Sequence, residues 1–305
     1  MGMRKFIFWL STKKAVTDPI ARTGMRLGFA RRFIAGETLE EGLRVAAELN
    51  QKELDVSMNH LGENVSSREA AEAAYASYEQ ILRLLAERRL NGNVSIKLTQ
   101  LGLKFAPDLC QQLVERLVRT AAELGNSVEV DMEDSPTTQE TIELFEAVRR
   151  KHENIGLAVQ AYLYRSARDL ERLRPLRPKI RLVKGAYRER PSVAFPRKAQ
   201  VNENYRKLLV HLFANGFFPA VATHDEAIIE FTKQLVARNG FDPARFEFQM
   251  IHGVRRDLQL ALAAQGYRMR VYVPFGREWL PYFMRRLAER PANFGFVVKS
   301  LLRER

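Results

Sequence analysis

Hydrophobic and polar positions along this chain switch repeatedly between a helical and a strand-like period. Thr38-Leu-Glu-Glu41 has the form of a capping box and opens a helix that carries Leu43, Val45, Ala46 and Leu49. A short strand-like run, Leu54-Asp-Val-Ser-Met58, follows and closes on Asn59-His60-Leu61-Gly62. Ser66-x-x-Glu69 opens the next helix, through Leu85, and Asn93-Val-Ser-Ile-Lys97 reads as a strand before a helix from Pro107 to Leu124. Ser127 to Asp131 is a strand, and Thr137-x-x-Glu140 caps the helix after it. The order then repeats: strand Ile155–Gln160 with helix Ser166–Leu173, and strand Lys179–Val183 with a long connection to helix Val201–Ala214. Strand Phe217–Val221 precedes helix Glu226–Arg238, and the strands Phe246–Met250 and Met269–Val273 are each followed by a helix.

The count is eight strands, each followed by a helix, from about residue 54 onward. Strict alternation implies parallel strands joined by right-handed crossovers, and eight such units close a (β/α)8 TIM-type barrel. A doubly wound open sheet would also alternate, but no GxGxxG follows the first strand, which weakens that reading. The expected division is a basic N-terminal helical arm over residues 1–50 and a barrel over 51–305.

Composition narrows the class. The chain has 305 residues, 46% hydrophobic and 28% charged, which excludes disorder, collagen-like repeats and a disulfide mini-domain. One cysteine, Cys110, excludes an internal disulfide framework. The formal net charge of +13 favours anionic partners. Between Met1 and Gly36 the bases Arg4, Lys5, Lys13, Lys14, Arg22, Arg26, Arg31 and Arg32 face one acid, Asp18, and a second basic stretch runs from Arg165 to Arg190. No run approaches the roughly 18 apolar residues of a spanning helix, and Phe6-Ile-Phe-Trp-Leu10 is too short for a signal-peptide core. Phe6 also stands where a myristoylation signal needs Ser or Thr. The expected location is cytoplasmic. The basic, aromatic arm suits either local packing or peripheral contact with the inner face of an anionic membrane.

In such barrels chemistry sits at the C-terminal ends of the strands. Those ends carry Asn59-His60, Lys97, Asp131 with Glu133 and Asp134, Gln160-Ala-Tyr162, Arg181 to Tyr187, Thr223-His224-Asp225, Gln249 with His252, and Tyr272. Beyond the last strand, Tyr282, Arg285, Arg286 and Glu289 are spaced to share one helix face. Two adjacent guanidiniums there can grip a carboxylate or phosphate, or simply form a salt-bridged solvated face. The run Asp131 to Asp134 reads as a magnesium site or as partners for surrounding cations, the latter favoured. His60, His152, His211, His224 and His252 show no zinc spacing, so no metal is expected, and Phe105, Phe246, Phe248 and Phe275 read as core or barrel wall. A Schiff-base aldolase with Lys184 or Lys97 as nucleophile is the rival enzyme. Nucleic-acid binding finds no RNP, KH or C2H2 pattern to support it.

Arg181-Leu-Val-Lys-Gly-Ala-Tyr187 and Tyr282-Phe-Met-Arg-Arg-Leu-Ala-Glu-Arg-Pro-Ala-Asn293 resemble the proline dehydrogenases, an FAD-dependent (β/α)8 family, most closely its short bacterial monofunctional type. The likeness runs from Arg31-Arg-Phe-Ile-Ala-Gly-Glu-Thr38 to the last helix, through Ser95-Ile-Lys-Leu-Thr99, Asp131-Met-Glu133, Gln160-Ala-Tyr162, Ala222-Thr-His-Asp225, Phe248-Gln-Met250 and Tyr272-Val-Pro274. The resemblance implies oxidation of L-proline to Δ1-pyrroline-5-carboxylate, the first step of proline catabolism. Hydride would pass to FAD and electrons on to a membrane quinone. Lys97, Arg285 and Arg286 would grip the proline carboxylate, and Tyr272, Tyr282 and Ile251 would wall the ring. Asp131 would organise the cations, and Glu289 would brace the arginine pair. Arg181 would lie beside the flavin, Gln160 would hydrogen-bond it, and Val183, Lys184, Gly185 and Ala186 would follow its ribityl and phosphate chain. Thr223 and His224 would serve its nucleotide part. Ile251 stands where the family usually has Leu, and Phe275 where Tyr is frequent. A separate pyrroline-5-carboxylate dehydrogenase is expected to take the product.

Overall fold

A computed structural model describes residues 30–280 and 282. Eight parallel strands close a barrel in sequence order: β1 (Asp55–His60), β2 (Gly92–Ile96), β3 (Val128–Val130), β4 (Ile155–Gln160), β5 (Lys179–Val183), β6 (Phe218–Ala222), β7 (Glu247–Ile251) and β8 (Met269–Phe275). The ring is closed by parallel pairing of β1 with β8, where Ser57 is opposite Tyr272. Around it lie α1 (Leu39–Asn50), α2 (Arg68–Glu87), α3 (Pro107–Glu123), α4 (Thr138–Arg149), α5 (Ser166–Leu173), α6 (Lys198–Ala214), α7 (Glu226–Asn239) and α8 (Arg256–Ala264). The fold is the (β/α)8 barrel that the alternation implies.

Several boundaries differ for local reasons. Ser67, not Ser66, caps α2: its extended backbone lets the hydroxyl accept from the Ala70 N–H. Thr137 does not cap α4, because its hydroxyl turns back to donate to the Asp134 carbonyl and carboxylate. β1 runs on through Asn59 and His60, which the pattern leaves outside it, and β8 runs on through Phe275, since the two strands pair along their whole length. α6 begins at Lys198, three residues before the periodicity shows it. Phe246, Phe248 and Phe275 are buried as expected, but Phe105 is an exposed side chain.

The capping box does form at α1, with Thr38 accepting from the Glu41 N–H and Glu41 accepting from the Thr38 N–H. α1 packs against both β1 and β8. It therefore fills the outer groove where the last helix of a regular barrel would lie. Gly42 makes that approach possible: a Cβ there would come within 2.9 Å of the Met58 methyl and 3.1 Å of the Phe275 ring. The segment ahead of α1 is laced to the end of β8, with Ala35 N–H donating to the Pro274 carbonyl and Gly276 N–H to the Gly36 carbonyl, both at 2.9 Å.

Apolar side chains from alternate strand positions, among them Val56, Met58, Val94, Val130, Leu157, Leu182, Phe248 and Val271, join the helices in one core. That core is an annulus between strands and helices. The other strand positions face a lumen that is charged rather than aliphatic. Glu129 pairs with Lys179 at 2.6 Å and with Arg181, Glu247 pairs with Lys179 at 2.6 Å and Arg270 at 3.0 Å, and Arg270 reaches Asp55 at 3.1 Å. With Asp131 and Lys97 above them, four carboxylates face four cations. Small neighbours leave room: in the register, Arg181 lies between Ala158 and Ala220, and Glu129 beside Gly156.

Removing one member of this set leaves a partner charge buried and uncompensated. Arg270→Leu is expected to cost about 3–5 kcal/mol, read as a drop in the urea midpoint. Arg270→Leu combined with Glu247→Leu should recover most of the loss, because the lumen stays neutral. A double variant no more stable than the single one would refute the balance argument.

Candidate active site

The upper end of the lumen is organised by Asp131, placed just past β3, where the two-residue period of Glu129 and Asp131 keeps both carboxylates inside. One Asp131 oxygen accepts from Lys97 Nζ at 2.5 Å and from the Tyr272 hydroxyl at 2.8 Å. The other accepts from the Arg181 guanidinium at 2.6 Å and the Ser95 hydroxyl at 2.7 Å. Arg181 also donates to Gln249 Oε1 at 2.6 Å, Ser95 Oγ at 2.7 Å and Ser57 Oγ at 3.2 Å, and stacks over the Tyr272 ring at 5.3 Å. Gln249 in turn donates to Glu247 at 2.6 Å. Six strands or strand ends thus meet around one carboxylate and one guanidinium.

The electrostatics follow from this packing. Burial disfavours the Lys97 ammonium, but Asp131 more than offsets it and holds Lys97 protonated well above the usual lysine range. Burial likewise pushes against the Asp131 carboxylate, and Lys97 and Arg181 bring it below its usual range. Tyr272 is driven well above the usual phenol range by burial and by Asp131, so it stays a neutral donor. A lysine held charged in this way is a poor Schiff-base nucleophile, which counts against Lys97 in the aldolase reading. Burial raises the Glu133 carboxyl. It accepts from Thr99 N–H at 3.0 Å and Oγ1 at 2.6 Å, two residues after Lys97 in the chain. The acidic run is thus divided among three partners: Asp131 among the lumen cations, Glu133 on Thr99, Asp134 on Thr137. No group of three or more His, Cys, Asp or Glu side chains suited to a metal occurs among the described residues.

The remaining rim residues form an arc at the ends of β4 to β7. Gln160 is buried, donates to the Glu133 carbonyl at 2.9 Å and accepts from the Ala186 N–H at 3.5 Å. Gly185 has φ +118, and a Cβ there would come within 2.3 Å of the Tyr162 ring, so only glycine lets the chain after β5 lie this close. Val183, Gly185 and Ala186 are half-buried. Lys184 pairs with Asp225 at 2.6 Å, and burial lowers its pKa against the pull of that carboxylate. Thr223 Oγ1 accepts from the Asp225 N–H at 3.1 Å. His224 Nε2 accepts from the Ile251 N–H at 3.0 Å, which leaves the neutral ring's proton on Nδ1 and ties the end of β7 to β6. His252 is pushed down to about 4 by burial and by Arg256, so it is neutral at physiological pH.

The structure therefore brings Lys97, Asp131, Arg181 and Tyr272 into direct contact and sets Gln160, Val183 to Ala186, Thr223, His224 and Ile251 around the same mouth. Tyr282 is buried, close enough to Tyr272 to raise its pKa. Arg285, Arg286 and Glu289, most of the helix expected after β8, and residues 1–29 of the expected arm over 1–50 lie outside the described residues. Sequence reasoning did not assign roles to Glu129, Ser57, Ser95, Lys179, Glu247 or Arg270. Their signal was available in Val128-Glu-Val-Asp131 and Phe246-Glu-Phe-Gln249, where charge alternates with apolar residues inside strands buried on both faces.

A closed barrel with a cationic, hydrogen-bonded cluster at the C-terminal ends of its strands defines a (β/α)8 enzyme. The profile of the Proline dehydrogenase family matches residues 43–299. Proline dehydrogenase 1 of Bacillus subtilis (strain 168) is 40% identical over 302 residues, covering 99% of this chain and 100% of the relative. Proline dehydrogenase of Deinococcus radiodurans is 39% identical over 309 residues, covering 98% of each. A crystal structure of proline utilization A (PutA) from Bdellovibrio bacteriovorus, inactivated by N-propargylglycine, superposes with a TM-score of 0.80 at 25% identity, over 88% of this chain and 33% of that one. The chain belongs to the proline dehydrogenase family, as an enzyme of the monofunctional type, an oxidoreductase of proline catabolism.

The carboxylates at the heart of the cluster set its acid stability. Asp131, Glu129 and Glu247 all have folded pKa values below their unfolded ones, with burial opposing and the lumen cations outweighing it. Their stabilisation is complete above the ordinary carboxylate range of about 4 and is lost as pH falls through the depressed folded values. The thermal midpoint is expected to fall steeply below about pH 4. An acid limb as steep in Asp131→Asn as in the parent would show that Asp131 does not contribute.

Proposed function

We propose that this enzyme oxidises L-proline to Δ1-pyrroline-5-carboxylate with FAD as its cofactor, working from the cytoplasmic side and passing electrons to a membrane quinone. The observation that carries the reading is the Lys97–Asp131–Arg181–Tyr272 cluster at the barrel mouth. It supplies a fixed, protonated lysine for the substrate carboxylate beside an aromatic wall. Lys97 grips that carboxylate together with Arg285 and Arg286, and Glu289 braces the arginines. Tyr272, Tyr282 and Ile251 bound the apolar ring.

The arc at β4 to β7 fits a flavin. Gly185 draws the backbone after β5 to a place no side chain could occupy, and the half-buried Val183 and Ala186 leave a surface of small groups beside a buried amide donor, Gln160. Arg181, Gln160 and Val183 to Ala186 would hold the ring system, ribityl chain and phosphates, and Thr223 and His224 the nucleotide end. Bound there, FAD supplies a two-electron acceptor for the hydride on the ring carbon next to the proline nitrogen. The protein's own part is binding and orientation. Lys97 stays charged throughout, Tyr272 stays a neutral donor, and Asp131 keeps both in place, so no strong base is required of the chain when the amine binds deprotonated. Because Glu129 and Asp131 flank the Arg181 guanidinium, its charge at the mouth is largely balanced. A separate pyrroline-5-carboxylate dehydrogenase takes the product.

The test is the visible spectrum of the purified protein before and after anaerobic addition of L-proline. Flavin bands that bleach are expected. A flavin that persists would move the substrate elsewhere, and a colourless protein that fails to bind FAD would overturn the cofactor. Lys97→Met is expected to lower kcat/KM for proline roughly 10- to 100-fold, mainly through KM. An unchanged KM would remove Lys97 from carboxylate binding.

A further inference from the structure

The two loops that follow β4 and β5 fold onto each other and form a preassembled surface beside the mouth. Leu163 and Ala194 form an antiparallel bridge, Tyr164 N–H donates to the Val193 carbonyl at 3.1 Å, and Phe195 N–H donates to the Tyr162 carbonyl at 2.8 Å. The Tyr164 hydroxyl donates to the Pro191 carbonyl at 2.9 Å, and its ring meets Phe195 edge-on at 4.6 Å. This fixed knob nonetheless leaves Tyr164 46% and Val193 37% exposed.

Around it, the stretch from Arg188 to Lys198 carries four bases, Arg188, Arg190, Arg197 and Lys198, against one acid, Glu189. Glu189 turns inward to accept from the Ser135 N–H at 2.8 Å and hydroxyl at 2.5 Å. All four bases are exposed; Arg188, Arg190 and Arg197 enter no ion pair among the described residues, and Lys198 acts on Asp225 only at longer range. On the barrel's outer helices the pattern is different: Arg83 pairs with Glu79, Arg88 with Glu40, Arg150 with Glu146 and Lys207 with Glu203. An exposed aromatic–aliphatic knob flanked along the same loop by exposed arginines without ion pairs is chemically matched to the headgroup region of an anionic bilayer. There tyrosine settles at the interface and arginine stems reach along apolar surface to phosphate. No helix among the described residues is long and apolar enough to cross a membrane, so such contact would be peripheral.

We propose that the β5–α6 connection, with Tyr164 from the facing loop, is the surface on which this enzyme seats on an anionic lipid bilayer. The proposal rests on the reading that electrons leave for a membrane quinone. A lipid-dissolved acceptor reaches the flavin most directly if the C-terminal mouth of the barrel faces the bilayer, and these loops rise from that mouth.

The test sediments the full-length holoenzyme with phosphatidylcholine vesicles containing one quarter phosphatidylglycerol. Each base near such a surface is worth about a fivefold gain in partitioning. The triple variant Arg188→Gln, Arg190→Gln, Arg197→Gln should therefore bind on the order of a hundredfold more weakly. Val193→Asp should also weaken binding, while Lys13→Gln with Lys14→Gln in the arm should bind as the parent does. Parental binding by the triple variant, or no binding of the parent, would overturn the proposal. So would loss of binding only in the arm variant. Proline oxidation with a soluble dye, measured on the same samples, separates the two readings. Its absence in the parent defeats the assigned reaction, and its retention in a variant that has lost vesicle binding localises the effect to the surface. If the triple variant lost dye activity as well, Val193→Asp with dye activity intact would decide the matter.

Discussion

The contact between Arg181 and the paired carboxylates Glu129 and Asp131 is the constraint around which the barrel is built. A guanidinium in the middle of a lumen would ordinarily be too costly to desolvate. Here it is surrounded by two carboxylates, two serine hydroxyls and a glutamine carbonyl, and the charges above and below it are matched in the same way. Such an arrangement is weak evidence for stability, because well-packed aliphatic side chains would fill the same space at less cost. What it provides is placement. Asp131 can meet Lys97 and Tyr272 at fixed positions only because Arg181 holds its other oxygen from below. Ala158 and Ala220 are small for the same reason, since larger neighbours in the register would crowd the guanidinium.

The same economy of space governs the ends of the chain that the structure describes. α1 occupies the outer groove between β8 and β1. Just past β8 the Trp279 indole N–H donates to Glu37, ahead of α1, at 3.2 Å, and Tyr282 is buried near Tyr272. The segment leading into a helix ahead of the first strand thus helps to place Trp279, just after the last strand. The close fit of Gly42 against Met58 and Phe275 is part of the active-site geometry, although none of the three touches the cluster.

The barrel was legible because alternation of period is a local property that eight repeats make hard to mistake. The cations at the strand ends were legible because charge is conspicuous where strands stop. The lumen was harder to read: the alternation in Val128-Glu-Val-Asp131 carries its signal, but a glutamate there reads equally as an edge facing water until closure puts both faces inside. The helix starts at Ser67 and Lys198 were misjudged by one and three residues because a cap depends on backbone geometry that neighbouring serines or lysines do not reveal. The resemblance implies a place for Lys184 beside the cofactor phosphates, but its partner within the protein, Asp225, distant by 41 residues and at 2.6 Å, was not legible. Only tertiary structure supplies such a pairing.

The distribution of charge gives the net value of +13 a meaning that the total alone lacks. Within the lumen, cations and carboxylates cancel. On the outer helices several bases are paired with acids one turn away or on a neighbouring element, as Arg83 is with Glu79, Arg88 with Glu40 and Arg150 with Glu146, and acids at least balance bases in number. Neither region accounts for the excess. By sequence it falls in the segment before α1, in residues 281–305 and in the stretch from Arg188 to Lys198, where Arg188, Arg190 and Arg197 enter no ion pair among the described residues. Evenly scattered bases would have produced a diffuse field, useful for solubility and little else. The part of the excess that the structure places, at Arg188, Arg190 and Arg197, lies in a loop beside the face that carries the chemistry. Under the proposed seating, that charge turns the mouth toward an anionic surface.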